Sequence, residues 1–454
     1  MLEKSTPVFK RLLHGIERMP VIDCHEHLAG PGRDLALVVE EPIAALITGY
    51  LTSDLWAAGA SGEEIALLQD EEATTDDKWP VFARLWAASE HTAYARVTKL
   101  MLRDVYGIEE LTRDSLEDIR AILADRNASD YLAIIHDQGI KAIVADVLFP
   151  FQPEVHIRYF ANPVLQDFLE GQFHMPEAWH PVFPLPYFHE IRRREFINYV
   201  EAISGLSITS LQEYEQAVFE LIQRSKKFGV VALKDQSAYR RLILYDLPPR
   251  SDAERCFNKL LTDPRQQLAW PEAKPLDDYL FHQYMRFARD LDLPVQIHTG
   301  HMAGIRNRVD KANAVHLASV LELHADVMFD LFHGNWPYMG DLLFLGKNYP
   351  NVSIDLCWVH MIDPAYAQAL LKRAVMTLPH TKIHCFGGDY KVFPELAVAH
   401  LAIARQVTAG ALADLVECGW FEEEVALRIA ADWLFNNPNQ FYRLQLSPYK
   451  ITGS

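Results

Sequence analysis

The chain is short of cysteine, of positive charge and of long apolar runs, and each shortage removes a class of protein. Five cysteines in 454 residues, Cys24, Cys256, Cys357, Cys385 and Cys418, are odd in number and show no CxxC spacing. That argues against a disulfide-stapled scaffold and fits reduced thiols in a cytoplasm. Lysine and arginine number 43 against 61 acidic residues, a formal net charge of -18. A field of that sign repels phosphates, so no nucleic acid and no anionic membrane is expected as a partner, and a small-molecule substrate is. No apolar stretch approaches the 18 or so residues of a membrane span. The opening "MLEKSTPVFKRLLHGIERMP" reads as an amphipathic helix, without the apolar core and small-residue cleavage site of a secretion signal. Internal repeats and low-complexity linkers are also lacking. A soluble, cytoplasmic protein is expected.

What the chain has is a large apolar half and a rhythm. Eight short runs rich in β-branched and aromatic residues recur, each followed by a helical stretch: 21–27 (VIDCHEH), 140–149, 181–188, 230–236, 294–301, 327–334, 352–358 and 383–390 (IHCFGGDY). Such alternation marks parallel βαβ architecture, and eight units predict an α/β protein, a (β/α)8 TIM-type barrel, as one elaborated domain over 1–454. Leu280, Tyr284, Phe287, Ala288 and Leu291 predict the buried stripe of the helix after the fourth run; Ala369, Leu370, Val375 and Leu378 predict another before the eighth. More than 100 residues separate the first two runs, too many for a bare loop, and their pattern is helical. Residues 29–135 are therefore read as a helical insertion that packs on the barrel or on a second subunit of a homo-oligomer, with a lid over the site as the alternative.

In such a barrel chemistry belongs at the C-terminal strand ends. Those ends carry His25 and His27 on the first run, Lys234 on the fourth, His298 on the fifth, His333 on the sixth and Asp389 on the eighth. In an extended strand His25 and His27 share one side while Glu26 faces the other. Imidazoles and a carboxylate are ligands that zinc, or alternatively manganese, accepts. Candidate substrate contacts follow the same ends: Arg240 and Arg241, with Tyr239; Arg306; Trp336 and Tyr338; Trp358 and His360. Arginine forks suit a carboxylate. His301 is read as a loop residue.

With Asp23-x-His25-x-His27, Lys234, His298, His333 and Asp389 in this order, the chain resembles the amidohydrolase superfamily of metal-dependent barrels. "VVALKDQSAYRR", "LPVQIHTGH", "HGNWPYM" and "FGGDYKVFPE" resemble, more narrowly, the amidohydrolase-type domain that precedes a glutamine synthetase domain in nodulin-like and fungal sporulation proteins. No glutamine synthetase half is read after "FNNPNQFYRL". Uronate isomerases are more distant relatives. The resemblance implies one or two divalent ions. In the two-ion form a carboxylated Lys234 bridges them, with His25, His27 and Asp389 on the first and His298 and His333 on the second. In the one-ion form His25, His27, His298 and Asp389 bind, and His333 polarises the substrate carbonyl. Asp389 and His333 are then the catalytic residues of a hydrolase cutting an amide-like C–N bond. The alternatives are a uronate-type isomerase and a metal-binding barrel without turnover.

Overall fold

The computed structural model describes residues 6–150 and 164–451. Eight parallel strands run in chain order, β1 (Val21–Glu26), β2 (Ile140–Ala145), β3 (Trp179–Pro184), β4 (Ala232–Asp235), β5 (Val295–Ile297), β6 (Phe329–Leu331), β7 (Val352–Asp355) and β8 (Ile383–His384). The seam between β8 and β1 is closed by main-chain bonds from the segment after β8: Cys24 N–H to Phe386 O at 2.9 Å, Asp389 N–H to His25 O at 2.9 Å and His27 N–H to Tyr390 O at 2.9 Å. The protein is a TIM-type barrel, and all eight expected strands are present.

Inside the barrel, Ile22, Cys24, Ala142, Val144, Val182 and Ala232 form one apolar layer together with Phe435, Tyr442 and Leu444 of the C-terminal segment. Outside it the helices pack their apolar stripes. Along Trp270–Asp290, Leu280, Tyr284 and Ala288 are buried and Phe287 is half-buried, as the spacing predicts. Along Pro364–Thr377 the buried side is Ala367, Leu370, Leu371 and Ala374, a fraction of a turn from the expected stripe, so Ala369 and Val375 are only half-buried. One expectation is corrected. The helix Pro394–Glu417 is long and apolar enough to cross a membrane, yet it is buried along nearly its whole length as a core helix. Its apolar run is interrupted in sequence by His400 and Arg405, both buried, which hid its length from a reading by uninterrupted runs.

Between β1 and β2 the chain is helical from Pro31 to Asp137, with short loops. Buried charges in this region include two ion pairs: Lys78 Nζ meets Glu41 Oε2 at 2.6 Å, and Arg126 meets Glu395 of the core helix at 2.8 Å. Breaking such pairs strands a buried charge, which costs far more than an exposed pair contributes. The helix Ala93–Asp104 packs on Pro394–Glu417, and the turn at Gly49 and Tyr50 is carried over the C-terminal end of the barrel.

Candidate active site

A cavity of about 740 Å³ opens at that end, lined by His25, His27, Asp146, Lys234, His298 and Asp389 on its polar floor. The first strand explains its own sequence. Three residues of β1 span two of β2 between Asp23 and Glu26 (Asp23↔Ile143, Glu26↔Ala145), a bulge that re-aims side chains. Cys24 faces the inner layer, and His25 and His27 reach into the mouth. The acids of the same run brace the β8 seam: Asp23 Oδ1 accepts from Gly388 N–H at 3.1 Å, and Glu26 Oε2 from Tyr390 N–H at 2.7 Å. Gly388 must lack a side chain, because a Cβ there would lie 1.7 Å from Glu26 Oε1. Asp389 sits between these two anchors. Asp389, His333 and Trp358 all have positive φ, 64°, 63° and 63°. Such backbone is uncommon outside glycine and is sustained where the surroundings over-determine it.

The tautomers follow from the outer partners. His27 Nδ1 is 2.8 Å from the main-chain O of Asp146, His333 Nδ1 is 3.1 Å from Cys357 O, and His298 Nε2 is 2.8 Å from His301 O. A carbonyl only accepts, so each of these nitrogens carries the proton and the other nitrogen of a neutral ring presents a lone pair. The inward ring nitrogens converge. His333 Nε2 and His298 Nδ1 are 2.9 Å apart, and His25 Nε2 and His27 Nε2 are each 3.2 Å from Asp389 Oδ1. Facing acceptors repel unless a cation lies among them. The donor atoms of His25, His27 and Asp389 all lie within 4.8 Å of one another, and so do those of His333, Cys357 and Asp389. The residues fit a divalent ion.

Charge agrees. Burial, then the nearby Lys234 ammonium, pushes His25 and His298 down to about 3, and burial pushes His333 well below its usual range, so these rings are neutral and ready to ligate. For Asp389 burial works upward, but its contacts with His25 and His27 outweigh this and hold its pKa well below the usual carboxylate range, while Asp389 and Asp146 together raise that of His27 against its burial. Lys234 is buried, its Nζ without a hydrogen-bond partner among the described residues and 3.8 Å above the Phe332 ring. Burial lowers its pKa.

The other candidates separate. Arg240 lines the cavity, half-exposed, with Glu190 at 3.6 Å and the Tyr187 ring at 5.1 Å. Tyr239 lines it too, its hydroxyl accepting from Ala303 N–H at 3.1 Å. Arg241 is brought elsewhere: it is buried in an ion cluster with Asp278 at 2.5 Å and Asp277 at 3.4 Å, which occupies its fork. Trp358 is wholly buried beneath the mouth, its ring against Tyr50 at 4.6 Å, His301 at 5.1 Å and His333 at 5.3 Å. Trp336 meets the His301 ring edge-on at 5.4 Å and turns its Nε1–H to Asp363. Neither tryptophan lines the cavity; both wedge the loops that do. His360 is buried beside His400, behind the mouth. Three contributors escaped the sequence reading: Cys357, Tyr50, whose hydroxyl donates to Asp389 O at 2.5 Å, and Asp146 at the end of β2. Asp146 alone left a signal, an acid closing an apolar strand.

A parallel barrel whose C-terminal mouth gathers neutral imidazoles and a carboxylate defines a metal-dependent barrel of the amidohydrolase type. Residues 173–444 match the family model described as Amidohydrolase, and the chain belongs to that family. His25 and His27 lie before the matched segment and are brought to it by the fold. The chain is 29% identical over 231 residues to Protein fluG of Emericella nidulans, covering 48% of this chain and 26% of that protein. It therefore spans about a quarter of that relative. Among solved structures it resembles a uronate isomerase of Thermotoga maritima (TM-score 0.74, 13% identity, 96% of this chain and 98% of that one). A glucuronate isomerase of Caulobacter crescentus is similar (0.73, 18%, 98% and 97%), as is a structure with the provisional description of a metal-dependent hydrolase from Lactobacillus casei (0.61, 18%, 96% and 98%). At these identities the likeness is one of fold.

Proposed function

We propose that the protein is a metal-dependent hydrolase that cleaves an amide-like C–N bond in a small substrate bearing a carboxylate. The observation that carries this is the convergence of ring nitrogens from His25, His27, His298 and His333 with Asp389. A divalent ion held by His25, His27 and Asp389, zinc first and manganese second, supplies Lewis acidity toward a carbonyl oxygen and toward water. Asp389, ionised and pinned by Tyr50 and the Glu26 seam, takes the proton of the attacking water and delivers it to the leaving nitrogen. His333, buried behind the cavity floor and 2.9 Å from His298, would polarise the carbonyl from the β6 side, and the Arg240 guanidinium at the rim would receive the carboxylate. Lys234, its amine made more nucleophilic by burial, is the residue that carbon dioxide would carboxylate if His298 and His333 hold a second ion.

The isomerase reading draws on the fold neighbours, but the wall of the cavity speaks for the hydrolase. Leu37, Val39, Ile47, Trp56, Phe149 and Ile305 face the polar floor. An open-chain sugar acid bears a hydroxyl at nearly every carbon and would desolvate several against that wall. An acyl or aryl group would not. The test is a panel of N-acyl amino acids and aldose acids offered to zinc- or manganese-loaded protein. Release of amine and free acid is expected; formation of a ketose acid without water uptake would reject the hydrolase, and silence on the whole panel would favour a binding barrel. The five free thiols suit a reducing cytoplasm.

A further inference from the structure

Asp146 directly follows β2 beside the β1 histidines, and the mechanism above does not use its side chain. The carboxylate is 1% exposed and lines the cavity, and neither of its oxygens has a hydrogen-bond partner among the described residues. It joins none of the groups whose donor atoms converge within 4.8 Å, so its oxygens do not complete the set formed by His25, His27 and Asp389. Its main chain is already committed: N–H to Glu26 O at 2.8 Å, and O to His27 Nδ1–H. The side chain alone is left over. Burial raises its pKa, while the nearby charges of His27 and Lys234 pull the other way and hold a carboxylate there; an ionised carboxylate only accepts, and without a hydrogen bond its oxygens lose solvation that those distant charges do not replace. It is positioned to be completed by whatever fills the cavity.

Strand order fixes where. Asp389 follows β8, His27 follows β1 and Asp146 follows β2, and these three strands are neighbours around the barrel. A carbonyl held over His25, His27 and Asp389 therefore has Asp389 on one flank and Asp146 on the other. We propose that Asp146 is a specificity residue that accepts the N–H of the scissile amide, so that the substrate class is the secondary amide and not the ester or lactone. This rests on the hydrolytic reading and goes beyond it, since metal, water and Asp389 would serve either bond. An ester would set its own oxygen lone pairs against the carboxylate. A site built to receive an N–H rejects the analogue lacking it far more strongly than an apolar pocket rejects a missing methylene.

The experiment compares hippurate and the wider N-acyl amino acid series with their ester isosteres, beginning with O-benzoylglycolate, in wild type, Asp146→Ala and Asp146→Asn. Because His27 is held by the main-chain carbonyl of Asp146, both variants keep that bond, and metal content serves as the control for an intact site. Asp146→Ala is expected to lower the amide-to-ester ratio of kcat/KM by about 10²-fold, with Asp146→Asn between, since hydrogen bonds to a charged group typically carry that order of discrimination. Calorimetric binding to metal-free protein should follow: hippurate tighter than O-benzoylglycolate in wild type, and the preference lost in Asp146→Ala. Equal losses on amide and ester, or loss of metal in Asp146→Ala, would overturn the assignment while leaving the hydrolase intact. No hydrolysis of either series by wild type would overturn both.

Discussion

The mouth of the barrel and the stem beneath it are built from the same residue types and use them in opposite ways. In the stem, His384 Nδ1 lies 2.8 Å from Asp330 Oδ2, Tyr442 O–H donates to the same oxygen at 2.5 Å, and Gln296 Nε2 donates to Tyr442 at 2.9 Å and to Cys24 O at 3.0 Å. All of these side chains are shut away from solvent and bonded to one another. In the mouth, His298 and His333 spend their protons on outer carbonyls and turn bare lone pairs toward each other across a cavity. His384 bonded by an acid closes the core here; His298 and His333 bonded outward to carbonyls leave their inner nitrogens to a site.

The comparison can be broken at either region. The largest effect is expected from His25→Ala with His27→Ala: bound zinc measured by elemental analysis falls to background and turnover with it, while the urea midpoint of the metal-free protein stays near wild type, because barrel stability resides in the packed layers. Asp389→Asn keeps size and one oxygen donor but loses the charge, so part of the metal remains while hydrolysis drops by about 10²–10⁴-fold. Wild-type rates in that variant would remove Asp389 from the mechanism. In the stem, Asp330→Ala leaves His384 and Tyr442 without their shared acceptor and should cost about 3–5 kcal/mol in urea unfolding, with metal content per folded chain unchanged. Metal loss there would erase the distinction drawn between the two regions.

A pH series sharpens it. His25 and His298 are held at about 3 in the fold, against about 6.5 in an unfolded chain. Below 6.5 the unfolded chain takes up protons that the folded one refuses, so their contribution to stability is complete above that pH and is lost as pH falls toward 3. Metal-free protein should therefore lose about 1.4 kcal/mol per pH unit for each ring below pH 6.5, a slope that His25→Gln with His298→Gln flattens. The smallest effect is expected from Tyr50→Phe, which removes one hydrogen bond to Asp389 O, about 1 kcal/mol or a change in kcat/KM of less than tenfold.

Much of this was legible in the chain. Strand periodicity, breaks and helical stripes are local, so eight βα units could be counted and their C-terminal ends read for chemistry; Asp-x-His-x-His and the later His and Asp lie where that count puts them. Arg241 shows the limit. It is one residue from Arg240 in a turn of irregular backbone, where alternation gives no direction, and only Asp277 and Asp278 from a distant helix decide that it is structural. Trp358 likewise reads as a rim aromatic until Tyr50 and Tyr94, some 300 residues earlier, are seen to cover it.

By itself, then, the sequence determined the barrel, the strand ends that carry the candidate ligands and the excess of acidic residues, because each depends on residue type and on spacing along one segment. The tertiary structure decided the tautomers of the histidines, the idle carboxylate of Asp146, the apolar wall lent by the insertion and the split between Arg240 and Arg241. Each of those depends on which atom of a remote segment stands within 3 Å, and a hydrogen bond or a desolvated charge is set by that distance rather than by the neighbours in the chain.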